Sequence, residues 1–146
     1  HTVEGSDNLW SIAEEELMER ITESTKSVVG HFGENIVFIN VLRNMSVSCD
    51  CEGVGAAPVV TPNIGIVAST DILAADQASV DLVYALKDSD HKDLVERIET
   101  RHGLRQLSYM KEMHMGNDRY HLINIDEDDK EILPADAVKN VKPFQG

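Results

Sequence analysis

Two cysteines separated by one residue, Cys49-Asp50-Cys51, are the side chains whose type and spacing best suit chemistry. In extended backbone, residues two positions apart point to the same side, so the two thiols could face one metal ion together. Thiolate pairs are typical ligands of zinc and of iron–sulfur clusters. The motif therefore predicts a metal site with Cys49, Cys51 and Asp50 as candidate ligands, and zinc or an iron–sulfur cluster as the candidate cofactor.

Two thiolates do not complete a metal site, because structural zinc normally takes four protein ligands. The remaining ligands could come from Asp50, from another chain, or from histidines, and the candidates are His31, His114 and His121. The alternative interpretation is that the two cysteines are small, half-buried loop residues with no ligand. The sequence leaves both interpretations open.

A second candidate is Asp76, which interrupts an apolar segment in the order Ala75-Asp76-Gln77-Ala78. A carboxylate on a buried helix needs a hydrogen-bond partner or a raised pKa. We expect Asp76 to be mostly buried, to be hydrogen-bonded and to face the irregular stretch 43–63, where it could line a cleft. The alternative is a bond to the backbone of that loop without any ligand.

These candidates must be positioned by helices and strands that the apolar pattern predicts. An amphipathic helix is expected from about residue 8 to 29, because apolar residues recur at helical spacing. The stripe consists of Trp10, Ala13, Leu17, Ile21 and Val28. The segment 36–42 is nearly all apolar and β-branched, which predicts a strand covered on both faces. Further strands are expected at 64–69 and 119–125, and a largely buried helix at 72–87.

The rest of the chain predicts shorter helices and an exposed turn. Asp90 is expected to cap a helix that ends at Gly103, a second helix runs from Leu104 to Gly116, and a third starts at Pro134. Together the elements predict a single α/β domain over 1–146, with a mixed, mostly parallel sheet and helices packed on it.

Composition narrows the class of partner. The chain carries 26 acidic and 13 basic residues, a net charge of −13. Binding to nucleic acid depends on Lys and Arg that neutralise phosphates, so this balance argues against nucleic acid and against an anionic membrane surface. No apolar run approaches the ~18 residues of a membrane span. Two cysteines so close together make a poor disulfide framework, which favours a reducing, cytoplasmic location.

Several segments resemble one known family. They are Phe38 to Ser46, the Cys-Asp-Cys motif, Ala57 to Val60, Ile64 to Ser69, and Asp71 with Ala75 to Leu82. These segments resemble the C-terminal part of the family called domain of unknown function 362, which is often joined to a ferredoxin-type iron–sulfur module. The resemblance implies a metal or iron–sulfur context but no particular reaction. Asn40 and Asn44, inside the matching stretch, join Asp76 as expected cofactor-binding residues.

Two functions are therefore expected. The first is a metal-site or redox-associated domain that uses the two thiolates. The second is a non-catalytic structural or interaction domain. Its expected partner is a missing N-terminal half or ferredoxin-type module of the parent protein, or a second copy in a homodimer. The first residues, His1 to Gly5, do not look like a natural start, which favours a fragment. The second function predicts an exposed apolar face.

Overall fold

The computed structural model describes the backbone of residues 7–48 and 55–144, and side chains from Ala13 onward. Five helices and four strands occur in this part of the chain. In order they are α1 (Asp7–Phe32), β1 (Phe38–Leu42), β2 (Gly65–Ser69), α2 (Ile72–Tyr84), α3 (Asp88–Thr100), α4 (Leu104–Glu112), β3 (Ile123–Asn124), β4 (Lys130–Glu131) and α5 (Pro134–Ala137).

The prediction of helices mixed with strands is confirmed, but the prediction of a mostly parallel sheet is wrong. β1 and β2 pair antiparallel, with Phe38 opposite Ser69 and Leu42 opposite Gly65. A parallel pair needs a crossover connection, which is usually a helix. The described parts of the 43–64 connection contain no α-helix, and the chain returns alongside the strand that it left.

The third predicted strand does not join this sheet, as the sequence had suggested it would. Ile123 and Asn124 pair antiparallel with Lys130 and Glu131 in a separate two-stranded sheet. The acidic turn between them is exposed, as expected, and Asp128 and Asp129 take positive φ values of 53° and 55°. Aspartate tolerates this left-handed conformation, which lets the acidic run close a hairpin.

The predicted helices exist, with different ends. α1 extends to Phe32, α2 stops at Tyr84, and α4 stops at Glu112 rather than near Gly116. Asp90 lies in the first turn of α3, whose N-cap is Lys87. An acidic side chain in the first turn interacts favourably with the positive end of the helix dipole, even when it does not cap the helix.

α2 is the centre of the packing. It contacts both strands of the β1–β2 sheet and also α3, α4 and α5. Leu73 is fully buried and packs with Ile72 and Met110, while Leu82 and Leu86 pack with Leu42 and Val138. Because α2 is apolar on most sides, it buries surface against a neighbour in each of these directions.

In the described part of the chain, helix α2 covers one face of the β1–β2 sheet and the other face stays exposed, so the prediction of strands covered on both faces is wrong. Burial alternates along β1 and β2, and α2 lies against one side. Ile39, Val41 and Ile66 point to the other side and are between 55% and 66% exposed. Val41 lies opposite Ile66, and Ile39 lies opposite Ala68. We call these four residues the outer sheet face.

α1 packs mainly on α4, and the side that it buries carries Met18, Thr22 and Val29 rather than the predicted apolar stripe. Thr22 is fully buried and donates to the Met18 carbonyl oxygen at 2.9 Å. Further contacts join successive positions of α1 to successive positions in and around α4, and residue numbers rise together on both sides. The two helices therefore run parallel. They join Glu14 to Arg101, Glu19 to Arg105, Glu23 to Tyr109 and Lys26 to the Met113 carbonyl oxygen. Among the described helices, none is long and apolar enough to cross a membrane.

Candidate functional site

The stretch that carries the predicted metal ligands begins directly after β1. Asn44 is exposed and adopts a positive φ of 50°, a conformation that asparagine tolerates. Its backbone N–H donates to the side-chain oxygen of Asn63 at 2.7 Å. Asn44 thus bonds across the stretch to the residue just before Ile64, and it helps to hold the two ends of the connection together.

Two serines close a smaller loop around the cysteines. The Ser48 hydroxyl accepts from the Ala57 N–H at 2.7 Å, and the Ser46 hydroxyl donates to the Ala57 carbonyl oxygen at 3.3 Å. Ser46 also accepts from the Ser48 N–H at 3.0 Å. Residues 48 and 57 are therefore neighbours. Cys49, Asp50 and Cys51 lie between them, outside the described residues, so the predicted approach of the two thiols stays a prediction.

Asn40 and Asp76, two of the expected cofactor-binding residues, are brought together by the fold. The Asn40 amide nitrogen donates to Asp76 Oδ1 at 2.8 Å and to Ser79 Oγ at 3.0 Å. Ser79 in turn donates to the Ala75 carbonyl oxygen at 2.7 Å. The cluster joins the inner face of β1 to α2. Sequence reasoning missed Ser79, although a position three after Asp76 shares its helix face.

Asp76 is hydrogen-bonded, as expected. It is half-buried, and its partner Asn40 lies on β1. Burial raises the pKa of Asp76 above its usual range, and the hydrogen bond from Asn40 opposes that rise. Both amide hydrogens of Asn40 are already used, which favours a structural role for the pair over ligand contact.

Two further aspartates on α2 bind the segment before β3. Asp81 accepts from Gln77 at 2.8 Å and from the Tyr120 hydroxyl at 2.6 Å. Burial and this bond raise the pKa of Tyr120 far above its usual range. Asp71 caps α2 by accepting from the Ala74 N–H at 3.0 Å, and its other oxygen accepts from the Asn117 N–H at 2.9 Å.

The histidines do not assemble with these carboxylates. His114 is exposed at a positive φ of 55°, and His121 pairs with Glu131 at 2.7 Å on the hairpin. Within the residues that the structure describes, no three His, Cys, Asp or Glu side chains lie close enough to hold a metal ion.

A family model described as Domain of unknown function (DUF362) matches residues 1–81, more than half of the chain. The chain belongs to this family. Neither the curated proteins nor the solved structures compared with it gave a match. The family match confirms the resemblance to this family that the sequence suggested.

The DUF362 match covers α1, the β1–β2 sheet, the cysteine motif and α2 as far as Asp81. The cluster of Asn40, Asp76 and Ser79 lies wholly inside it, as do the serines that close the loop. Asn117 and Tyr120, the partners of Asp71 and Asp81, lie outside it. The DUF362 region thus carries every candidate ligand that the sequence predicted except His114 and His121.

An apolar cleft, which sequence reasoning missed, lies where the DUF362 region meets the hairpin. Its volume is about 640 Å³. Its walls include Ile64 and Ile66 on one side and Ile123, Ile125 and Ile132 on the other. Arg43 and Asp126 are among its charged lining residues. Ile66 belongs both to the lining of the cleft and to the outer sheet face, whereas Leu42, Val67 and Leu82 line the cleft from the inner side of the sheet.

Proposed function

We propose that this DUF362 chain is an interaction domain, whose outer sheet face packs against another domain of its parent protein. The observation that carries the proposal is the exposure of Ile39, Val41 and Ile66 on one side of a sheet that α2 covers on the other. Contiguous apolar patches of several hundred Å² mark interaction sites. The expected occupant is the N-terminal half or the ferredoxin-type module that the family resemblance suggested.

The open edges of the sheet favour a partner that contributes strands. In the described part of the chain, β1 and β2 pair only with each other. A two-stranded sheet is marginally stable alone, and its free N–H and C=O groups can pair with an added strand. The net charge of −13 disfavours nucleic acid as the occupant of this face.

Hydrogen exchange tests this proposal. The N-terminal half of a full-length DUF362 protein, added in trans, should slow amide exchange in β1 and β2. The variant Ile39→Asp/Ile66→Asp should lose that protection, and the control Leu133→Asp, an exposed apolar residue outside the cleft, should keep it. Unchanged exchange in β1 and β2 at saturating concentrations of the added half would overturn the proposal.

A second candidate function is a thiolate metal or iron–sulfur site formed by Cys49 and Cys51, with Asp50 as a ligand or as a hydrogen-bond partner of one. The closed base of the loop favours it, because Ser48 and Ala57 hold the two ends of a short segment together. A loop that is already closed has less conformational entropy to lose when it binds an ion. A reducing, cytoplasmic location would keep both thiols free to bind.

Metal content tests this second candidate. Protein purified without a metal-affinity column should contain metal in a fixed ratio to chain. Cys49→Ser/Cys51→Ser should remove it, and binding should weaken at low pH because thiolates are the ligands. The control His114→Gln/His121→Gln should keep the metal. Unchanged metal content in the double-serine variant would exclude a site built on these thiols.

A further inference from the structure

α1 exposes a stripe of apolar side chains along its length. Leu17, Ile21, Val28 and Phe32 are each between 42% and 53% exposed. Leu17 and Val28 are eleven residues apart, as are Ile21 and Phe32. Eleven residues make three turns at 3.67 residues per turn, so the stripe runs almost straight along the helix. A straight stripe can contact a second helix over its whole length.

Another side of α1 is already occupied. Thr22 is fully buried there, and Glu14, Glu19 and Glu23 bind Arg101, Arg105 and Tyr109. α1 therefore packs inward with a mixed side, on which Met18 and Val29 are half-buried beside Thr22, and it leaves a separate apolar stripe exposed. Rotating α1 to bury the stripe would break these polar contacts, so the stripe needs a separate partner.

We propose that the partner is α1 of a second copy of this chain, docked antiparallel. The spacing of the stripe is symmetric, because its successive gaps are four, seven and four residues. Reversing the helix therefore superimposes the stripe on itself. A two-fold axis between Ser24 and Thr25 would place Leu17 against Phe32 of the partner subunit. Such self-complementarity is what an isologous dimer interface requires.

The charges on α1 fix the antiparallel direction. Its first thirteen residues, 7–19, carry five acidic and no basic side chains, whereas residues 20–32 carry Arg20, Lys26 and a single acid, Glu23. A parallel pair would bring the two acidic halves together. An antiparallel pair puts each acidic half beside the more basic half of the other copy, and it also opposes the two helix dipoles.

A membrane surface fits this stripe poorly. Helices that lie in the interface of an anionic bilayer are rich in Lys and Arg on their polar face. The polar residues of α1 include Glu15 and Glu16, and Arg20 is engaged by Glu16 and Glu23 at 3.2 and 2.9 Å. The acidic flank therefore favours a protein helix over a lipid headgroup region.

Sedimentation across a range of concentrations tests the dimer. The wild-type chain should shift from monomer to dimer, and Ile21→Glu/Val28→Glu should remain monomeric. Glutamate is a good helix former, so circular dichroism should show unchanged helix content. The matched control Ile125→Glu, an exposed apolar residue on the hairpin, should dimerise like wild type. A wild-type chain that stays monomeric, or stripe variants that dimerise normally, would overturn the proposal.

Cysteine cross-linking then tests the direction, in a Cys49→Ser/Cys51→Ser background. Ser24→Cys lies beside the proposed axis and should form a disulfide-linked dimer on mild oxidation. Leu17→Cys should not, because its counterpart lies at the far end of the pair. Cross-linking of both positions would show a parallel pair and overturn the antiparallel assignment. This test does not depend on the outer sheet face, so it can succeed or fail separately from the proposed function.

Discussion

Asp76 is the residue whose electrostatics are most informative. Its half-buried carboxylate is stabilised by one amide hydrogen from Asn40, while burial disfavours its charged form. The folded-state pKa is therefore higher than the unfolded one. Between those two values the folded protein binds more protons than the unfolded chain, so the free energy of unfolding falls as pH rises.

We predict that Asp76→Asn raises the free energy of unfolding at neutral pH relative to wild type. The amide oxygen of the new side chain can still accept from Asn40, and no charge remains to be buried. Chemical denaturation of both proteins across a pH series measures this. Their difference should be largest above the folded pKa of Asp76 and should shrink as pH falls through it. A variant that is less stable at pH 7 would show that the charge itself is needed.

A substitution at Gly116 should also change the stability of the protein. A Cβ at this position would lie 2.0 Å from Asp71 Oδ1, the oxygen that caps α2. Gly116→Ala should displace the cap and cost about 1–2 kcal/mol of stability, the usual loss for a removed helix cap. Thermal or denaturant unfolding measures the loss.

The control for this variant is Gly30→Ala. Gly30 lies inside α1, and a Cβ added to its backbone would meet no other atom within 4 Å. Alanine is favoured over glycine in a helix by roughly 0.5–1 kcal/mol, so this change should stabilise. Equal effects of the two substitutions would mean that Gly116 does not contact the cap.

The sequence located these residues better than it predicted their partners. That Asp76 needs a hydrogen bond follows from a carboxylate on an apolar helix, and the structure provides one. The identity of Asn40 and Ser79 as its neighbours does not follow, because it depends on the register between α2 and β1. The hydrogen bonds of Ser46 and Ser48 to Ala57 could likewise not be predicted from the sequence, because they depend on the path of the chain between β1 and β2.

At the level of elements, the core around α2 and the outer sheet face should respond very differently to substitution. Leu73 is fully buried between α2 and its neighbours, and Leu73→Ala should cost about 2–5 kcal/mol. Ile39→Ala on the outer sheet face should cost much less, because that side chain already contacts water in the isolated chain. Denaturant titration compares the two. A loss at Ile39 as large as that at Leu73 would mean that the isolated chain covers this face.

The positions of β1 and β2 were predictable, whereas their direction and coverage were not. Runs of β-branched residues identify strands, but an all-apolar run looks the same whether a second face is buried within the chain or offered to a partner. The inference of two covered faces led to the expectation of a parallel sheet, because parallel sheets are normally covered on both faces. α1 misled in a similar way: its predicted apolar stripe stays largely exposed, and a side that mixes polar and apolar residues packs inward.

At the level of the whole molecule, net charge opposes any pairing of two copies. Each copy carries −13, so dimerisation must overcome repulsion between exposed charges. The Debye length is about 10 Å at 0.1 M salt, so repulsion between exposed charges that lie farther apart is largely screened. We therefore predict that the proposed dimer tightens as salt rises from about 0.02 to 0.5 M, measured by sedimentation equilibrium. Dissociation by salt would indicate that the attraction between the acidic and the more basic halves of α1 outweighs the repulsion between the two net charges.

The seam between α1 and α4 also bears on how the chain is made. Its side-chain hydrogen bonds join residues 86 to 88 positions apart. A ribosome adds roughly 5–20 residues per second, so α1 emerges about 4–17 s before its partner helix has been synthesised. During that interval neither its polar nor its apolar side has an intramolecular partner. α1 is thus the element most open to a chaperone, or to a neighbouring nascent chain on the same messenger RNA.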